Sequence, residues 1–254
     1  MPAHRVRALS LKKTKLGETD LIVTFLAEDG CQVRAVAKGA RKPGSRFGGR
    51  VEPFSVLDMM LHTGRTLETI TDAEIVVSHA SLREDYDRSQ AAAVVADFLD
   101  KVSVECQTED RLFALACSTL DAMDTAEGDD LLALVVAFLL KGMAMHGYRP
   151  QFDACASCGA GTAGGTLFSL ESGGPLCEAC GVTGPDVIGL SPSARNALVA
   201  LMGARMAEVG ELGIPRPVLV DAFALMRALV VYHVPARLKA LAMYAAGVAR
   251  EDRQ

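Results

Sequence analysis

Tryptophan is absent from this chain of 254 residues, and aromatic residues of all kinds make up 5% of it. A core built without many rings has to be aliphatic, and with half of its residues apolar the chain has the material for one large or two small domains. Long hydrophobic runs are missing too. The most apolar stretch, Leu131 to Leu140, stops at Lys141, well short of the roughly 20 residues a membrane-spanning helix needs, and is expected to be a buried core helix. The first residues carry no charged-then-apolar segment, which leaves the cytoplasm as the expected location. Also lacking are H-E-x-x-H and G-x-S-x-G patterns and a D-x-D-type cation loop. The five histidines, His4, His62, His79, His146 and His233, stand singly, so a protein that makes no covalent bonds is expected.

Positive charge is scarce overall, with 26 Lys plus Arg against 31 Asp plus Glu and a formal charge of −5. The average hides an asymmetry. Through Ala80 twelve cations face nine carboxylates, a net of +3 that leaves −8 for the remainder, so the two parts have different electrostatic roles. Between Gly30 and Val51 stand Arg34, Lys38, Arg41, Lys42, Arg46 and Arg50 without a single acid. Glycine alternates with cation from Lys38 to Arg50, yet the Gly-Lys-Ser/Thr order of a Walker loop is not met. The segment reads as a mobile loop whose cations track a phosphate backbone, with Phe47 the one ring able to stack on a base. Lys12, Lys13 and Lys15 would form a supporting patch. The competing interpretation is a solvated loop whose charges serve solubility.

Cysteine is present in an odd number, seven, and four of the seven carry the strongest chemical signal. Cys155 and Cys158, then Cys177 and Cys180, form two C-x2-C pairs eighteen residues apart, the spacing of a tetrahedral four-thiolate zinc site. Gly159 and Gly181 follow the pairs and allow sharp turns, and the intervening segment is rich enough in glycine to make a short hairpin. One structural Zn2+ per chain is therefore expected, because four thiolates leave no position open for water. Disulfides would need an oxidising compartment, and a thioredoxin-like pair would need a βαβ setting. Cys31, Cys106 and Cys117 lie in apolar periodic runs and are expected to be buried thiols.

Along the chain the pattern changes once. Residues 1–80 alternate apolar and polar positions in five runs broken by turns: Val6 to Leu11, Leu21 to Leu26, Val33 to Lys38, Pro53 to His62 and Leu67 to Thr71. Five short strands suit a small barrel such as an OB-fold. From Ser81 the apolar spacing becomes helical, over Ala91 to Val104, Arg111 to Met123, the Leu131 helix behind Asp129-Asp130, a helix capped by Ser191-Pro192, Pro217 to Tyr232 and Pro235 to Ala246. The expected organisation is α+β and multidomain: a five-stranded barrel over 1–80, a helical domain over 81–254, and a zinc-ribbon insertion over 153–182.

Leu11-Lys12-Lys13-Thr14, Gly17 to Val23, Glu28-Asp29-Gly30, Val36 to Lys42, Ser45-Arg46 and Glu52-Pro53 together resemble the amino-terminal barrel of the bacterial recombination mediator RecO family. Ala37 to Lys42 with Ser45-Arg46 is the specific part, and a looser similarity runs through the helical region and its four cysteines. The resemblance implies an OB-fold on a helical domain, binding of single- and double-stranded DNA, and annealing of complementary strands. It also implies partnership with RecR and single-strand-binding protein in loading RecA, on the nucleoid. It further implies a helical-domain site for the acidic tail of single-strand-binding protein. Arg149, Arg195, Arg227 and Lys239 are the candidate cations for that site, with Lys141 the weaker one; each could instead cap a helix or sit in a surface pair. Two rivals of other classes are a zinc-thiolate redox switch and a zinc-ribbon enzyme acting on nucleic acid.

Overall fold

The computed structural model describes residues 3–64, 66–103, 110–162, 166–182 and 184–252. It divides into two compact units, Met1–Asp124 and Thr125–Gln254. The first contains β1 (Ala3–Leu16), β2 (Asp20–Ala27), β3 (Gln32–Ala37), β4 (Val56–His62) and β5 (Glu68–Val77). These form a closed barrel in the order β1-β2-β3-β5-β4, with β4 returning antiparallel to β1. Closure comes from a short parallel pairing of Ala35 with Glu68 and Val36 with Thr69. That order and that closure define the OB-fold. Ala8, Val23, Phe25, Ala35, Ala37, Leu57, Met59, Leu61, Ile70 and Ala73 fill the interior. Small alanines alternate with large residues, as a narrow barrel requires. Register shifts between Ser10 and Lys12 and within the β4–β5 pairing bend the strands toward closure.

All five expected strands are present. The fifth runs six residues past Thr71, because β4 offers pairing partners as far as Val56 opposite Val77. Change from strand to helix falls at 80 as expected, but the compact unit extends through α1 (Ser81–Glu84), α2 (Tyr86–Val102) and α3 (Asp110–Met123). Hydrogen bonds account for this. Arg83 donates to the carbonyls of Pro53 (2.9 Å) and Ser78 (2.6 Å), Gln32 reaches Asp100 O and Ser103, and Lys12 pairs with Asp100 at 3.4 Å. His79, buried with φ of 44°, bridges Phe54 O at 2.8 Å and Asp121 at 2.9 Å. Helix α2 starts five residues before Ala91 because the Asp85 side chain accepts from Arg88 N and caps it.

In the second unit α4 (Asp129–Met145) is buried from Leu131 through Leu140, the core helix its composition predicts. No helix among the described residues is long and apolar enough to cross a membrane. A three-stranded sheet of order β7-β6-β8 follows, from β6 (Leu167–Ser169), β7 (Gly174–Leu176) and β8 (Val187–Gly189). The expected hairpin is β6–β7; β8 lies beyond the expected limit at 182. Then come α5 (Pro192–Gly203), two 3-10 turns, α6 (Arg216–His233) and α7 (Lys239–Glu251). Ser191 caps α5 by accepting from Ala194 N at 3.2 Å. The last helix begins at Lys239 rather than Pro235. Val234, ahead of proline, is held extended at φ −96°, ψ 105°, as the proline ring dictates.

Cys31 and Cys117 are half-buried, not fully buried as expected. Cys31 sits on the β2–β3 turn, where its N–H donates to Asp29. Burial, with help from Asp121 and Glu28, pushes the Cys117 thiol up to about 12, which makes it unreactive. Cys106 lies outside the described residues.

Candidate nucleic-acid interface and metal centre

The basic segment between β3 and β4, expected to be a mobile loop, is tied to the barrel by hydrogen bonds at several points. Asp20, at the start of β2, accepts from Gly39 N at 2.7 Å and from the Thr19 hydroxyl at 2.9 Å. Gly39 has φ of 65°, a conformation suited to glycine. The Gly39 N–H, followed by Thr19 and then Lys38 and Lys42, holds the Asp20 carboxyl below the usual carboxylate range. Arg41 N donates to Thr19 O at 2.9 Å, and its guanidinium to Glu18 O at 2.8 Å and Gly17 O at 3.3 Å. Further along, Arg50 donates to Ala73 O of β5 at 2.7 Å, Ser10 to Val51 O at 3.2 Å, and Lys13 to the Glu52 carboxylate.

Phe47 corrects the sequence expectation. Phe47 is 4% exposed and belongs to the barrel core with Ala40 and Val51, so although it borders the cleft it offers little surface for stacking. Its visible role is support: the Arg46 guanidinium carbon lies 4.8 Å from the ring centroid, a cation–π contact. The expected cations thus separate into two sets. Lys38, Lys42 and Arg46 are exposed and line a cleft of about 530 Å³ with Ser45, Thr69 and Thr71. Arg41, Arg50 and Lys12 are exposed as well and Lys13 is half-buried, but Arg41 and Arg50 are tied to backbone carbonyls and Lys12 and Lys13 to carboxylates. Arg34 lies on the outer face of β3, in register with Thr24 and, through it, with Lys12; Lys15 is exposed near the end of β1. Asp20, Thr69 and Thr71 were not foreseen as parts of this surface. An acid at a strand start, nineteen residues before the glycine it holds, is the one sequence sign of that anchor.

The four cysteines meet in the second unit. Their sulfurs all lie within 4.8 Å of one another, and they are the one group of three or more ligand-type side chains so gathered among the described residues. Cys158 Sγ and Cys177 Sγ are 3.7 Å apart, close to the edge of about 3.8 Å that follows from tetrahedral Zn–S bonds of about 2.3 Å. Cys177 N donates to Cys155 Sγ at 3.3 Å. That donation, then those from the Cys158 and Ser157 amides, lowers the buried Cys155 thiol to about 6. At Cys180 a hydrogen bond with Ser157 that lowers it is outweighed by those with Cys158 and Cys177, which push that thiol up to about 12. The cluster without a metal therefore favours a thiolate at Cys155 and not at Cys180. Gly159 takes the left-handed φ of 74° that turns the first pair. Gly181 serves differently: a Cβ there would meet Cys177 O and Leu167 Cδ1 at 3.1 Å. The donor set, four sulfurs within 4.8 Å of one another, fits a metal ion of zinc's type.

In the same unit Arg149, Arg227 and Lys239 are exposed and Arg195 half-buried. Lys141 is committed elsewhere: its ammonium donates to Met202 O (2.7 Å) and Ala204 O (2.9 Å) at the end of α5. Burial lowers its pKa from the usual lysine value.

An OB-fold barrel with a cation-lined cleft, joined in one chain to a helical unit carrying a four-cysteine cluster, defines the class of protein structurally. Within that class the comparisons are specific. The family model "Recombination protein O N terminal" matches residues 1–79 and "Recombination protein O C terminal" matches residues 83–242. A DNA repair protein RecO from Nocardioides sp. is 38% identical over 247 residues, covering 94% of this chain and 98% of the relative. That from Rubrobacter xylanophilus is 38% identical over 211 residues, covering 82% and 84%. That from Frankia casuarinae is 40% identical over 182 residues, covering 71% and 74%. The chain belongs to the RecO family of DNA repair proteins.

Proposed function

We propose that this protein is a non-enzymatic mediator of DNA repair and recombination in the cytoplasm, on the nucleoid, binding single- and double-stranded DNA and annealing complementary strands. The observation that carries the proposal is the cleft of Lys38, Lys42 and Arg46 on the barrel. Annealing requires no acid or base; it requires two like-charged strands to be held together while bases find register. Three cations on a folded support lower that repulsion and release counterions. Arg34 and Lys15 extend the positive surface, while Arg41, Arg50, Lys12 and Lys13 hold the barrel that presents it. A Zn2+ ion on Cys155, Cys158, Cys177 and Cys180 would supply cross-linking of the ribbon.

Anisotropy of labelled single-stranded DNA across a salt series tests this reading. Replacing Lys38, Lys42 and Arg46 together by alanine is expected to weaken binding and to flatten the log–log salt slope by about 0.7 for each phosphate no longer neutralised. Unchanged affinity and slope would remove the cleft from the interface. RecR and single-strand-binding protein are the proposed partners in loading RecA. Arg149, Arg195, Arg227 and Lys239 are candidates to pair the tail carboxylates of single-strand-binding protein. Titration of a labelled tail peptide against single alanine variants of the full chain decides which of them contribute.

A further inference from the structure

We infer that the barrel cleft recognises the sugar–phosphate backbone alone, so that a strand stripped of its bases binds as well as one that carries them. This rests on the assignment of the cleft as the DNA-binding surface and adds what it reads. The segment's single ring, Phe47, is 4% exposed and faces the barrel interior, with Arg46 stacked on it at 4.8 Å. Phe25, Phe54, Phe98 and Phe113, the other phenylalanines of this unit, are also buried. Phe47 and Ile70 border the cleft but are 4% and 2% exposed, and what the cleft offers beside them is cations, the small polar side chains of Ser45, Thr69 and Thr71, Pro43 and glycine backbone. Ammonium, guanidinium and hydroxyl groups pair with phosphate oxygens; none is an aromatic ring of the kind on which single-strand-binding OB-folds stack bases, and the one guanidinium of the lining, that of Arg46, already lies over Phe47. The ring has in effect been moved below the surface, where it aims a guanidinium rather than meeting a base. Tyr86, 75% exposed at the start of α2, is the one exposed tyrosine ring of this unit and is not part of the cleft lining.

The test compares full-length protein binding to a labelled oligothymidylate and to an oligonucleotide of the same length built from tetrahydrofuran abasic sites, each across a salt series. Equal salt slopes and dissociation constants within about twofold are expected. A single stacked base would separate the two by about fivefold to over a hundredfold, so an abasic strand that binds tenfold more weakly overturns the inference. If the Tyr86→Ala variant then abolishes that difference, the base contact lies on α2, and the inference is equally overturned. The Lys38/Lys42/Arg46 alanine variant separates this failure from failure of the parent reading. Loss of oligothymidylate binding in that variant with a base-dependent wild type leaves the cleft as the DNA site and removes only the claim of backbone recognition.

Discussion

Phe47 shows how a residue chosen for one role can be held in another. Phe47→Ala empties a site in the barrel core and should cost about 3–5 kcal/mol, read from the urea midpoint of unfolding; an exposed stacking ring would leave that midpoint unmoved. Asp20 works by hydrogen bonding from the opposite side of the segment. Asp20→Ala removes the acceptor for Gly39 N and is expected to lower the melting temperature and weaken DNA binding together, whereas Asp20→Asn, which keeps an oxygen there, should do less. Its carboxyl is held below the ordinary value by the Gly39 N–H, and that of Asp58 by the bidentate Arg7 guanidinium. Both are deprotonated in the folded protein at pH values where the unfolded chain begins to bind protons. The stability they contribute is therefore complete above about pH 4 and lost as pH falls through their lowered folded values. Thermal melts of the wild type and Asp20→Asn at pH 7 and pH 3.5 should differ more at the higher pH.

At the scale of elements, the ends of helices carry much of the polar organisation. Lys141 of α4 satisfies two carbonyls at the end of α5, that of Met202 in its last turn and that of Ala204 just beyond it, where carbonyls lack an intrahelical partner. Lys141→Met keeps the stem and removes the donor; the expected loss is about 1–2 kcal/mol in thermal unfolding, with DNA binding unchanged. Arg216, in the first turn of α6, pairs with Asp129 of α4 at 2.7 Å and Glu251 of α7 at 2.6 Å. These groups are partly exposed, so Arg216→Ala should cost no more than about 1 kcal/mol. Adding Asp129→Ala should cost little further, a non-additivity that a double-mutant cycle measures. The β3–β4 connection belongs at this scale too, since its anchors to β1, β2 and β5 make it part of the barrel wall.

For the molecule as a whole, the unit boundary near 124 has a consequence for fragments. A piece ending at 80 loses the Arg83 bonds to Pro53 O and Ser78 O, the Asp121 partner of His79 and the Asp100 partner of Lys12. Residues 1–124 are expected to unfold in a single cooperative transition by circular dichroism and residues 1–80 to show none. Metal analysis should give one zinc per chain. Because binding energy at such a site is folding energy, a strong chelator or Cys158→Ser should lower the stability of the second unit, and the chelator should leave the melt of fragment 1–124 unmoved.

Sequence pattern was enough to place the five strands, the buried Leu131 helix, the Ser191 cap and the four sulfurs, because each is governed by local periodicity or by ligand spacing. The family too was legible, in Ala37 to Lys42 with Ser45-Arg46. What the sequence could not determine is which of its exposed cations are spent on the protein's own carbonyls and carboxylates. Arg41 and Lys42 are neighbours in one basic run, yet one spends its guanidinium on the carbonyls of Gly17 and Glu18 and the other lines the cleft. Exposure of Phe47, the commitment of Lys141 and the membership of α1–α3 in the barrel unit were likewise decided only by tertiary structure. Each depends on hydrogen-bond partners or packing neighbours far away in the chain, and nothing in local pattern reports them.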